Sequence, residues 1–170
     1  ESKQLPQAVR ELQAALRLEE DNVQTHIRLG MLHEAAKQFD EAIRSQEKAQ
    51  QYAPEEVQIT LLRGAAYTHA ATEKKDSALA QKAIQAYQDA LQRRPQLGAA
   101  AHFGLGKVYL VVLQQPQTAV EHLEKAAASM PRVAEVHLLL VQAYYEMHPE
   151  NREARVWFFF DEVQEVPNWE

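Results

Sequence analysis

Seven histidines and no cysteine make up the chain's stock of strong metal-ligating and nucleophilic side chains. His26 and His33 are seven residues apart, so on a helix they share a face but sit two turns from each other. Paired helical metal ligands are one turn apart, as in His-Glu-x-x-His, which does not occur here. His69, His102, His122, His137 and His148 form no such spacing either. The lack of cysteine excludes disulfides, thiolate-held zinc and thiol catalysis. Acids gather at Glu19-Glu20-Asp21 and Glu55-Glu56, where they suit the positive ends of helices that follow. Gly98 and Gly104-x-Gly106 fall in or beside a helical stretch rather than after a strand, so they make no dinucleotide fingerprint. No Gly-x-Ser-x-Gly elbow is present. The sequence thus offers no catalytic constellation, and no catalytic, cofactor-binding or metal-ligating residue is expected.

What the chain does offer is repetition. Ala8, Ala42, Ala83, Ala119 and Ala154 each stand twelve residues before Glu20, Pro54, Pro95, Pro131 and Val166. Seven residues after those alanines come Ala15, Ala49, Ala90, Ala126 and Asp161. Successive alanines are 34, 41, 36 and 35 apart. A second marker runs in register: Gly30, Gly64, Gly106 and Val141, followed three residues later by His33, Tyr67, Tyr109 and Tyr144. His33 thereby takes a place filled elsewhere by tyrosine, which suits packing rather than ligation. Periods of about 20–50 residues mark stacked repeat architectures.

The markers carry further residues: Leu29-Gly30, Arg63-Gly64, Leu105-Gly106 and Leu140-Val141 on one helix of each unit, and Leu12, Tyr87, Leu123 and Phe158 on the other, with Gln46 as the exception. This pattern resembles the tetratricopeptide repeat, whose period is about 34. The resemblance covers nearly the whole chain. It implies an all-α fold, an α-solenoid of stacked antiparallel helix pairs in a right-handed superhelix of about four and a half repeats. A single array over 1–170 is expected. Residues 1–22 are the second helix of a truncated repeat, 23–56 a full repeat, 57–97 a repeat with an insertion, 98–133 another, and 134–170 a degenerate last one. Helices are expected at about 5–19, 23–36, 39–52, 56–71, 77–93, 97–113, 116–129, 133–146 and 151–165. Sixteen residues separate Tyr67 from Ala83, against nine from His33 to Ala42, so about seven are inserted around 72–77. Seven residues are two helical turns, which longer helices could absorb; the other reading is a protruding edge that contacts a partner.

Composition narrows the partners. The chain is 46% hydrophobic and 25% charged, with net charge −6 and pI about 5.7. Its basic pairs, Lys74-Lys75 and Arg93-Arg94, are short, so a nucleic-acid partner is not expected. No apolar run approaches the roughly 18 residues of a membrane span, and no direct membrane insertion is expected. From the opening Glu1-Ser2-Lys3, without an initiator methionine, an excised or processed piece is expected.

By resemblance, the first helix of each repeat lines a concave groove. The positions that map to it include Ile27, Met31, Leu61, Ala65, Phe103, Lys107, Leu110, Leu138, Gln142 and Tyr145. Ile27 and Met31 stand where carboxylate-clamping members carry Lys and Asn, which counts against that activity. A mostly apolar groove suits a helical or extended segment of a partner protein. The expected function is a non-catalytic protein-interaction scaffold. The alternatives are head-to-tail self-assembly through exposed ends and a regulatory segment of a larger enzyme. At the C-terminal end Trp157, Phe159 and Phe160 form an apolar patch where a terminal repeat normally turns a polar face outward, a possible interface. At the other end Leu5, Val9, Leu12 and Leu16 lack a paired helix.

Overall fold

The computed structural model describes residues 4–149, so the expected helix at 151–165 and the Trp157, Phe159 and Phe160 patch lie outside the described residues. Among the described residues eight α-helices follow in order: α1 Gln4–Leu18, α2 Val23–Ala35, α3 Phe39–Tyr52, α4 Val57–Lys74, α5 Ser77–Arg93, α6 Gly98–Lys107, α7 Pro116–Ser129 and α8 Ala134–Met147. A 3-10 turn over Pro95–Leu97 leads into α6, and a π-helical stretch over Val108–Val112 continues it. No strand occurs among the described residues. Each helix packs on the next in sequence, giving a second helix, three complete antiparallel pairs and one further first helix of an α-solenoid. Successive first helices also touch, α2 on α4, α4 on α6 and α6 on α8. No comparable contact joins α3 to α5 or α5 to α7. The first helices therefore form the tighter, inner layer of the curve.

Local chemistry explains where the helices start and turn. Asn22 Oδ1 accepts from Thr25 N at 2.9 Å, and Asp76 Oδ1 from Ala78 N at 2.8 Å, capping α2 and α5. Pro116 opens α7, where its missing N–H costs nothing. Within each complete pair the turn contains one left-handed residue: Lys37, Lys75 and Gln114, with φ of 57°, 52° and 53°. The insertion is absorbed by length, for α4 has 18 residues and α5 has 17 where α2 and α3 have 13 and 14.

The core is built from small residues meeting large ones. Ala42, Ala49, Ala83, Ala90, Ala119 and Ala126 are all buried. Opposite them, each glycine marker meets the residue that the repeat pattern pairs with it: Gly30 meets Gln46, Gly64 meets Tyr87, and Gly106 meets Leu123. Tyr87 is gripped twice. A Cβ on Gly64 would lie 2.8 Å from its Cε1, and one on Gly104 would come closer still. Burial pushes the Tyr87 phenol up to about 12. Gln46 is the misfit. It is fully buried and neither amide atom has a partner, so it carries a desolvation cost that a leucine there would not.

Candidate interaction surface

Two kinds of side chain link one repeat to the next, and both recur with the sequence period. The first stands four residues before the glycine marker. His26 Nε2 donates to Glu20 O at 2.8 Å, and His137 Nε2 donates to Pro131 O at 3.0 Å. Thr60 does the same through a relay: its hydroxyl donates to Gln50 Oε1 at 2.7 Å, and Gln50 Nε2 donates to Pro54 O at 2.9 Å. In every case the carbonyl lies six residues upstream, and the bond closes the turn between repeats. The second kind stands three residues after the marker. Tyr67 donates to Glu47 Oε1 and Tyr144 to Glu124 Oε1, both at 2.6 Å and both reaching twenty residues back to the preceding second helix. Burial, together with the Glu47 carboxylate, pushes Tyr67 up to about 12.

The joint between α5 and α6 follows neither rule. Pro95 is seven residues before His102, not six, and its carbonyl is taken by Gly98 N–H in the 3-10 turn. His102 turns instead to His122 on α7, with Nδ1 to Nδ1 at 2.9 Å. Tyr109, in the π-helical stretch, stacks flat on His122 at 5.6 Å and 2°. Burial holds both imidazoles below the usual histidine value; Lys125 adds to this for His102, and His102 and then Lys125 add to it for His122. The sequence reading missed this pairing. The signal lay in the proline-to-histidine spacing of seven rather than six, and in the single residue that lengthens Tyr109 to Ala119 over His33 to Ala42.

The expected groove residues divide by burial. Met31 is 53% exposed and Leu138 69% exposed; Gln142 is exposed too. Ile27, Ala65, Phe103, Lys107 and Tyr145 are half-buried. Leu61 and Leu110, at 6% and 2% exposed, belong to the buried core. Leu61 is enclosed because α4 is packed by α2, α3, α5 and α6. Leu110 sits in the π-helical stretch, packed with Ala119, Leu123 and Leu140. Val111, beside it, is exposed.

Charges along this layer are largely spent on one another. Lys107 Nζ is 2.9 Å from Glu135 Oε1 on the next first helix and 5.9 Å from the centre of the Phe103 ring. His69 Nδ1 meets Glu34 Oε1 at 3.0 Å across α2 and α4. Gln142 Nε2 donates to Glu146 Oε1 at 2.9 Å. No group of three or more His, Cys, Asp or Glu residues able to hold a metal occurs among the described residues. No helix among them is long and apolar enough to cross a membrane.

A tetratricopeptide repeat model matches residues 1–56 and 70–128. The chain belongs to the tetratricopeptide repeat family. Among solved structures, a crystal structure of MamA is 24% identical, covers 96% of this chain and 89% of its own, and superposes with a TM-score of 0.71. A second MamA structure is 21% identical over 96% of this chain and 83% of its own, with a TM-score of 0.72. TTC0263, a thermophilic tetratricopeptide repeat protein of Thermus thermophilus, is 18% identical over 82% and 73%, with a TM-score of 0.69. At these identities the likeness is one of fold, the right-handed tetratricopeptide superhelix. No curated protein sequence matches the chain. Tetratricopeptide repeats are in general non-catalytic protein-interaction scaffolds, and that general role is the one this chain's family gives it.

Proposed function

We propose that this array, with repeat boundaries near residues 22, 56, 97 and 133, receives a helical or extended segment of a partner protein along its first helices. The observation that carries the reading is that large apolar side chains, Met31, Val111 and Leu138, are exposed along the first helices, where Glu34 and Glu135 are already paired with His69 and Lys107. Phe103, Ile27, Ala65 and Tyr145 lie between them, half-covered and able to bury further. An apolar anchor from a partner helix gains about 1.5–3 kcal/mol when fully buried. Lys107, engaged by Glu135, orients the partner less than a free cation would.

The test is a double variant, Met31→Lys with Leu138→Lys, which leaves the core untouched. A partner identified by crosslinked pull-down is expected to lose at least about a hundredfold in affinity, about 2.7 kcal/mol, with far-UV circular dichroism unchanged. Undiminished affinity would refute the groove. A second reading, stacking of copies end to end, is favoured by one observation. Ala8, Leu12 and Ala15 on α1 are half-buried or exposed, whereas Ala83, Tyr87 and Ala90, their counterparts on α5, are buried. A chain that sediments as a monomer at high concentration would remove it.

A further inference from the structure

His102 and His122 face each other across the α6–α7 interface, Nδ1 to Nδ1, at 2.9 Å, with ring centroids 5.2 Å apart. The centroid separation is close to the nitrogen–nitrogen distance plus one ring radius at each end, so the two lone-pair axes lie nearly along one line. Lone pairs that chelate a metal ion converge on a point to one side. Lone pairs that share a line leave room between them for a single proton. In the neutral pair one ring donates its Nδ1–H and the other accepts, and each ring's Nε2 takes the complementary state. Tyr109, stacked on His122, fixes the plane of that ring. The extra residue after Pro95 and the 3-10 turn come just before His102, and the π-helical stretch carries Tyr109.

We propose that the His102–His122 pair is a shared-proton latch that fastens α6 to α7 and is released by acid. The first added proton goes to Nε2 of the donor ring. The Nδ1–H···Nδ1 bond survives that step and becomes charge-assisted. The second can go only to Nδ1 of the acceptor. It removes the accepting lone pair and sets two N–H bonds and two positive charges face to face, so the bond is lost. Lys125, also on α7, opposes both steps, while Glu121 favours charging His122. Among the described residues, α4, α5 and α8, which also pack on this pair of helices, supply no charge that shifts either ring. Because both rings resist protonation, the latch is closed at neutral pH and opens only on acidification. The latch joins the repeat's own two helices and is independent of what segment the array receives.

The experiment is ring nitrogen-15 NMR and amide hydrogen exchange on the whole chain, with His122→Gln as the comparison. Glutamine at 122 can donate an amide hydrogen to His102 Nδ1 but cannot take up a proton. At neutral pH the two Nδ1 atoms should show one proton between them. Protection of the α6 and α7 amides, corrected for intrinsic rates, should fall about tenfold or more from about pH 7 to about pH 5, each decade corresponding to one pK unit of differential proton binding. In His122→Gln that fall should shrink while α2 and α3 are unchanged. An equal fall in both proteins overturns the latch, as does independent titration of the two rings. Saturable zinc binding that displaces the shared proton at neutral pH overturns it in favour of a metal site. Should His122→Gln fail to fold, the ring spectra of the natural chain decide alone.

Discussion

The joint before α8 and the joint before α6 solve one problem in two ways. Before α8, six residues run from Pro131 to His137, and the imidazole reaches back to the carbonyl; Tyr144 then reaches the acid of the previous helix. Before α6 there are seven, the backbone satisfies its own carbonyl, and both His102 and Tyr109 turn forward to His122. One inserted residue thus converts a fastening between repeats into a fastening inside a repeat. The side-chain types are unchanged. A motif position therefore specifies a kind of side chain, while the length of the turn before it decides what that side chain holds.

The sharpest way to break the comparison is at the glycine that belongs to the irregular joint alone. Gly104→Val drives a branched side chain into Tyr87 and should cost about 2–3 kcal/mol in urea denaturation. Gly98→Ala, where the nearest foreign atom is at an ordinary 3.5 Å, should change little. Next in size is His26→Ala, which leaves the Glu20 carbonyl without its donor and should cost about 1–2 kcal/mol by the same assay. His102→Ala should cost about 1 kcal/mol at neutral pH, and its cost should fade in acid because the natural pair is then opening. Gln46→Leu should raise stability by about 1 kcal/mol, since Leu123 already shows that leucine fits against a glycine marker.

The pH dependence has a fixed sign. Folded His102 and His122 titrate below the ordinary histidine value, so between that value and their own the unfolded chain binds more protons. Stability contributed by the pair is present above about pH 6.5 and is lost as the pH falls toward the folded values. Thermal melts of the natural chain and His122→Gln across this range should diverge on the acid side. The smallest effect is expected at the regular turns. Lys37→Gly relieves a left-handed backbone and should add about 0.5 kcal/mol, read as a shift in the urea midpoint.

The repeat was readable because it is written in residue sizes. Gly30, Gly64 and Gly106 pair with Gln46, Tyr87 and Leu123 as the spacing required, and the eight described helices begin within about two residues of the sequence reading. The surface was less legible. Period alone places Leu61 and Leu138 at one motif position, yet the first lies under four helices and the second is exposed near the end of the described array. A periodic sequence does not state how many neighbours a repeat has. Lys107 shows the same limit: its partner Glu135 is 28 residues away, on the first helix of the next repeat.

Tyr87 belongs to α5, yet its ring is held between a glycine of α4 and a glycine of α6. Repeat proteins commonly melt as a sum of units and nearest-neighbour couplings. A ring clamped by two successive first helices makes one of those couplings unusually large. The array should therefore fray from its ends inward and give way at the centre in a single cooperative step, with the unit from α4 to α6 behaving as the nucleus on which the others are added.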